Sequence, residues 1–209
     1  MEEKRITRTY EFEIRAENDE TNGDFLFGTP IVYNAMTNIG GMFNEIIERG
    51  ALDNTDLTDV AFLVNHDTSK LPLARSRRNN ANSSMQMMID PNGMNIRVNL
   101  DTANNADARS LYSATKRGDI DGMSFAFMVD GEEWTDLDSE MPTRHIRSIS
   151  KVMEVSAVTF PAYNQTTLEA RDAEALDNAK AALEKVKTEQ RVAELKEQIR
   201  NKIMGGKKS

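Results

Sequence analysis

Apolar and polar residues alternate along most of the first 160 positions, the period of two that half-buried strands require. Ile6, Tyr10, Phe12 and Ile14 alternate with Thr7, Thr9, Glu11 and Glu13, predicting a first strand. Apolar segments at Phe25–Phe27 and Ile31–Tyr33 flank Pro30. Val60–Val64 is a continuous apolar run, the pattern of a strand covered on both faces. Met85, Met87 and Ile89, then Met94, Ile96, Val98 and Leu100, alternate on either side of Asp90-Pro91-Asn92-Gly93 and predict a hairpin. Two further alternating strands run over Met123–Val129 and Val152–Phe160. Between them and the hairpin, Ala103–Arg117 reads as a helix capped by Asp101 or Thr102 and stopped at Gly118. Many short strands with few long helices predict an α+β, mainly β body, closed or orthogonally packed, with helices over its ends.

The pattern changes near Leu168. Glu169–Ser209 contains no proline or aromatic residue and is rich in Ala, Glu, Lys, Arg and Leu, all strong helix formers. Its apolar positions, Leu176, Ala179, Leu183 and Val186, form a heptad-like stripe that resumes at Val192, Leu195, Ile199 and Ile203 after a six-residue step. The expected division is a body over 1–168 and a helical tail over 169–209. The seam is thin, so the tail reads as an exposed charged helix or as one that docks on a helical partner. The joint at 171–175 reads as an exposed link open to cleavage.

Composition narrows the function classes. With 26 Lys and Arg against 34 Asp and Glu the chain carries a net charge of −8, which argues against nucleic acid as a partner. Cysteine is absent, excluding thiol catalysis and Cys-ligated metals. No 18-residue apolar run predicts a membrane span. The charged start, Met1–Arg5, leads into no apolar segment, so no secretory signal is expected. With two histidines and no zinc spacing, a metal hydrolase built on His66 and Asp67 is a weak reading.

The candidate chemistry is sparse. His66 ends the Val60–Val64 run, where a ring can be presented at a sheet rim, although a lone histidine there is more often a structural one. Ser124 lies between Met123 and Phe125 and faces away from both, with small Ala126 beside it on its own face. Spacing alone does not choose Ser124 over the other serines. Glu154 opens the apolar strand Val155–Phe160, and a buried acid there needs a partner such as Lys151 or a histidine. Asp67 adjoins His66 but would point the other way on an extended chain. His145 reads as a surface strand residue.

Six phrases, in order, resemble the prohead maturation proteases of tailed bacteriophages. They are Phe27-Gly28-Thr29-Pro30-Ile31-Val32-Tyr33, the stretch Phe43–Leu52, Asn65-His66-Asp67, Leu73-Ala74-Arg75, the stretch Gly118–Phe127 that contains Met123-Ser124-Phe125, and Glu154–Tyr163. Leu52, Ala74 and Ala126 stand where the family pattern has Phe, Gly and Gly. The resemblance runs from about residue 10 to Arg171. It implies a serine endoprotease whose β-barrel-like body, with flanking helices, is similar to the herpesvirus assemblin proteases. Ser124 matches the family nucleophile and His66 its general base. Imidazole suits that role because it titrates near neutral pH.

In the herpesvirus enzymes a histidine opens the strand that corresponds to Val155–Phe160, so Glu154 is the third member implied. The oxyanion donors are expected in the Phe160–Tyr163 loop, from Ala162 or Tyr163 because Pro161 has no N–H. The resemblance further implies no cofactor and action inside the immature capsid in the host cytoplasm. The expected partners are the major capsid protein with its scaffolding segment or scaffold protein, and the protease itself by self-cleavage. The alternative is a non-catalytic assembly or scaffolding protein derived from such a protease.

Overall fold

The computed structural model describes residues 5–10, 14–19, 23–159 and 165–205. Four strands form the smaller sheet: β2 (Ile14–Asp19), β3 (Gly23–Val32), β8 (Met85–Asp90) and β9 (Gly93–Leu100), in the order β2-β3-β9-β8. Seven form the larger one: β1 (Arg5–Tyr10), β4 (Met36–Ile39), β5 (Phe43–Ile47), β6 (Asp59–Val64), β7 (Ala74–Arg77), β10 (Gly122–Thr135) and β11 (Thr143–Val158). Its spine is β1-β10-β11-β5-β4. The first residues of β11 pair in parallel with β5, while Glu154–Ala157 pair in parallel with Ala61–Val64 of β6, which carries β7 on its far side.

Local chemistry explains the elements. Asp90 Oδ1 accepts the backbone N–H groups of Asn92 and Gly93, closing the predicted β8–β9 hairpin with an Asx turn. The β3–β9 register shifts between Gly28 and Ile31, where Pro30 has no N–H for a ladder. Helix α1 (Ala106–Arg117) ends at Gly118, left-handed at φ 78°, as its glycine predicts. It starts three residues later than expected. The Asp101 carboxylate is engaged with Asn104, and Asn105 takes the cap, accepting from the N–H groups of Asp107 and Ala108.

Alternation sorts the core. Met123, Phe125 and Phe127 of β10, Val155 and Ala157 of β11, and Phe62 of β6 join Leu26, Ile31, Met85, Met94, Ile96 and Val98 of the smaller sheet in one apolar cluster. The opposite face of β10 and β11, which carries Ser124, Ala126, Glu154 and Ser156, is buried too. In β6 the residues Val60, Phe62 and Leu63 are buried while Ala61 and Val64 are partly exposed, so the two-sided burial expected there is incomplete.

Three expectations change. The single strand read from Ile6 to Ile14 is two, β1 and β2, in different sheets; Phe12 lies outside the described residues. The barrel-like body is, among the described residues, two sheets around a common core with no closed barrel. The larger sheet forks because β11 gives its two halves to different neighbours, β5 and β6. The third change concerns the tail. Helix α2 (Gln165–Gly205) is continuous through the six-residue step in its stripe, since a change in apolar phase does not interrupt backbone hydrogen bonding where no Gly or Pro intervenes. Its exposed link at 171–175 does not exist: those residues are helical and Asp172 and Leu176 are buried against the body. Val186, Val192, Leu195 and Ile199 are exposed.

Candidate active site

The turn after β6 carries the first candidate side chain. Asn65 and His66 both adopt left-handed backbone, at φ 51° and 59°, a conformation that costs a non-glycine residue roughly 1–2 kcal/mol. Neighbours hold it in place. The Asn65 N–H donates to the Ala157 carbonyl at 2.9 Å, and its side-chain Oδ1 accepts the Thr159 N–H at 2.9 Å. The turn folds the chain back over β11, so His66 Nδ1 meets Glu154 Oε1 at 2.6 Å. Glu154 is 3% exposed. An ionised carboxylate can only accept, so the ring carries its proton on Nδ1 and Nε2 is the acceptor of a neutral imidazole. Nε2 is buried and, among the described residues, has no hydrogen-bond partner.

Ser124 stands directly across the β10–β11 ladder from Ser156, and directly opposed residues share a face. Ser156 Oγ donates to Glu154 Oε2 at 2.6 Å and accepts the His66 backbone N–H at 3.2 Å. Ser124, Ser156, Glu154 and His66 are thereby gathered on the side of the sheet away from the main core. Ser124 is fully buried, and its hydroxyl donates to the Arg8 carbonyl of β1 at 2.7 Å rather than to Nε2. The structure therefore joins His66 to Glu154 directly and brings Ser124 alongside them through Ser156, with no hydrogen bond from Ser124 to the imidazole.

The other candidates sit elsewhere. Asp67 turns to the N–H and hydroxyl of Ser69, and those hydrogen bonds hold its carboxyl below the usual range. Lys151 pairs with Asp56 at 2.8 Å, not with Glu154. His145 bonds Glu48 and Thr135 on another stretch of β11, half-buried instead of at the surface. Among the described residues no group of three His, Cys, Asp or Glu side chains could hold a metal ion. The Phe160–Tyr163 loop, where the oxyanion donors were expected, lies outside the described residues.

The strand whose Arg8 carbonyl accepts the Ser124 hydroxyl also carries the centre of a buried ionic network. The Arg8 guanidinium grips Glu45 through Nε and Nη2 and Asp172 of α2 through Nη1 and Nη2, while Arg144 bonds Glu45 from the other side. Burial pushes the Glu45 carboxyl up, but the charges and hydrogen bonds of Arg8 and Arg144 outweigh it and hold the group below its usual range.

Residues 10–181 match the family model described as caudovirus prohead serine protease. The chain belongs to that family. It is accordingly a serine protease of phage capsid maturation. The protease is 30% identical to the prohead protease of Enterobacteria phage HK97 over 172 residues, covering 79% of this chain and 68% of that one. It is also similar to the bacteriophage T4 capsid assembly protease gp21, with 12% identity and a TM-score of 0.44 over 76% of this chain and 99% of that one. No helix among the protease's described residues is long and apolar enough to cross a membrane.

Two residues escaped the sequence reading. Ser156 lies two positions after Glu154, so strand alternation already put both on one face. Arg8 was missed as well, although it falls in the apolar register of Ile6 and Tyr10, where a charge needs a buried partner.

Proposed function

We propose that Ser124 is the nucleophile of this protease, His66 its general base and Glu154 the acid that orients the imidazole. The observation that carries the reading is His66 itself: Nδ1 is tied to a buried carboxylate at 2.6 Å, and Nε2 is left buried on the Ser124 side of the sheet with no partner among the described residues. For attack, the Ser124 hydroxyl turns from the Arg8 carbonyl to Nε2. Nε2 takes the hydroxyl proton as Oγ bonds the scissile carbonyl carbon, and the imidazolium is stabilised by Glu154. The same proton passes to the leaving amine, giving an acyl-enzyme. Water then attacks, again through Nε2, and releases the new carboxylate with Ser124 restored. No cofactor enters this scheme.

The substrates in this reading are the capsid protein with its scaffolding segment, or a scaffold protein, and the protease itself, cut inside the prohead in the host cytoplasm. Residues 1–168 would do the chemistry, in a body related to the herpesvirus assemblins. Residues 169–209 would dock on a helical scaffold through the exposed stripe of α2. Co-expression with the capsid protein, followed by mass spectrometry of the new termini, tests the reading. Ser124→Ala should abolish cleavage, a loss on the order of 10⁴–10⁶ in rate, while melting like the native chain. Near-normal cleavage by Ser124→Ala would refute it.

A further inference from the structure

We infer that Ser156 is a positioning residue of this protease, which acts by locking the backbone of His66 and the carboxylate of Glu154 to one another. The inference rests on the roles proposed above for His66 and Glu154.

The geometry of β6 states the problem that Ser156 solves. Ala61 is level with Glu154 in the parallel ladder. Had β6 continued straight, residue 66 would lie five residues beyond that level, on the order of 16 Å along the strand. The left-handed pair Asn65–His66 turns the chain back, and that conformation persists only where surrounding bonds over-determine it. Asn65 is held by Ala157 and Thr159. The peptide N–H of His66, which decides where its ring is aimed, is held by Ser156 Oγ.

The hydroxyl has one proton to give, and it goes to Glu154 Oε2. That bond fixes the carboxylate rotation and leaves Oε1 for Nδ1. One fully buried oxygen thus sets both partners of the dyad, the His66 backbone through its lone pair and the Glu154 carboxylate through its proton. The same commitment keeps Ser156 from serving as a second nucleophile, although it lies directly across the ladder from Ser124.

The test uses the full chain and an alkyl fluorophosphonate, because such a probe needs only the nucleophile and its base. Oγ bonds phosphorus, fluoride leaves, and His66 takes the hydroxyl proton. The maximal rate of inactivation and the probe's half-saturation are measured separately, and the adduct is located by mass spectrometry. In the native chain the adduct should sit on Ser124. Ser156→Ala should lower the maximal rate tenfold or more, leave half-saturation within twofold and melt as a folded protein. Ser156→Thr, which keeps the hydroxyl on a strand that tolerates β-branching, should recover most of the loss. A second measurement reads the bond itself: the downfield proton resonance of the His66–Glu154 bond should broaden in Ser156→Ala and return toward its native width in Ser156→Thr.

A maximal rate within twofold of native in Ser156→Ala, an unchanged downfield resonance, or an adduct on Ser156 would each overturn the inference. No adduct on Ser124 in the native chain would overturn the site assignment itself and this inference with it. That failure is distinguishable because it appears before any substitution at position 156.

Discussion

Replacing Arg8 by methionine should destabilise the protease by about 3–5 kcal/mol at pH 7, the cost typical of breaking a buried ion pair from one side. The structure supports the upper part of that range. The guanidinium makes paired bonds to two carboxylates, and their side chains are 0% exposed for Glu45 and 5% for Asp172. Without Arg8, Glu45 keeps only the Arg144 Nη1 bond at 3.2 Å within this four-residue network. At roughly 2–4 °C for each kcal/mol in a chain of this length, the melting temperature should fall by about 6–20 °C.

The pH dependence gives a sharper check. In the native chain the Glu45 carboxyl is held below its unfolded value, so its contribution is fully present above that value and fades as pH falls through the folded one. In Arg8→Met, burial is opposed by Arg144 alone, and the carboxyl moves up. The stability gap between the two chains should therefore be widest near neutral pH and narrow on acidification. Urea unfolding from pH 7 down to pH 4 measures it. A gap below about 1 kcal/mol at pH 7, against the range for buried pairs, or one that widens in acid, would refute the network as described.

Two further outcomes are expected. Glu154→Gln should slow proteolysis by about 10²–10⁴-fold, the range of general acid–base contributions, and Asp67→Asn should do far less because its carboxylate serves only the Ser69 turn; a larger loss in Asp67→Asn, measured as turnover of co-expressed capsid protein, would reverse those roles. A chain ending at Lys185 keeps Asp172 and Leu176 and should retain its fold and fluorophosphonate reactivity while losing incorporation into proheads, whereas one ending at Arg171 should melt lower because Arg8 loses the buried Asp172; normal incorporation of the shorter chains would rule out a targeting role for the tail.

What the sequence determined by itself was local. Alternation marked the strands β8, β9 and β10, the αL glycine marked the end of α1, and ordered phrases around His66, Ser124 and Glu154 marked the family and its candidate residues. Those signals survive because side-chain direction in a strand and the conformational freedom of a glycine depend only on near neighbours. The tertiary structure decided which strands meet. The parallel pairing of β6 with β11 brings His66 to Glu154 across 88 positions, and no periodicity encodes a partner that distant.

The same holds for the turn at Asn65–His66. Asn and His tolerate left-handed backbone better than most residues, but two in succession are held there by the bonds that Ala157, Thr159 and Ser156 supply. Asp172 reads as one charge of an exposed helix, and Arg8 finds no partner within its own segment; both are buried because β1, β5, β11 and α2 converge, where each charge is compensated by the other. Burial and pairing are properties of the assembled chain, so the sequence names candidate residues and the fold decides which oxygen holds which ring.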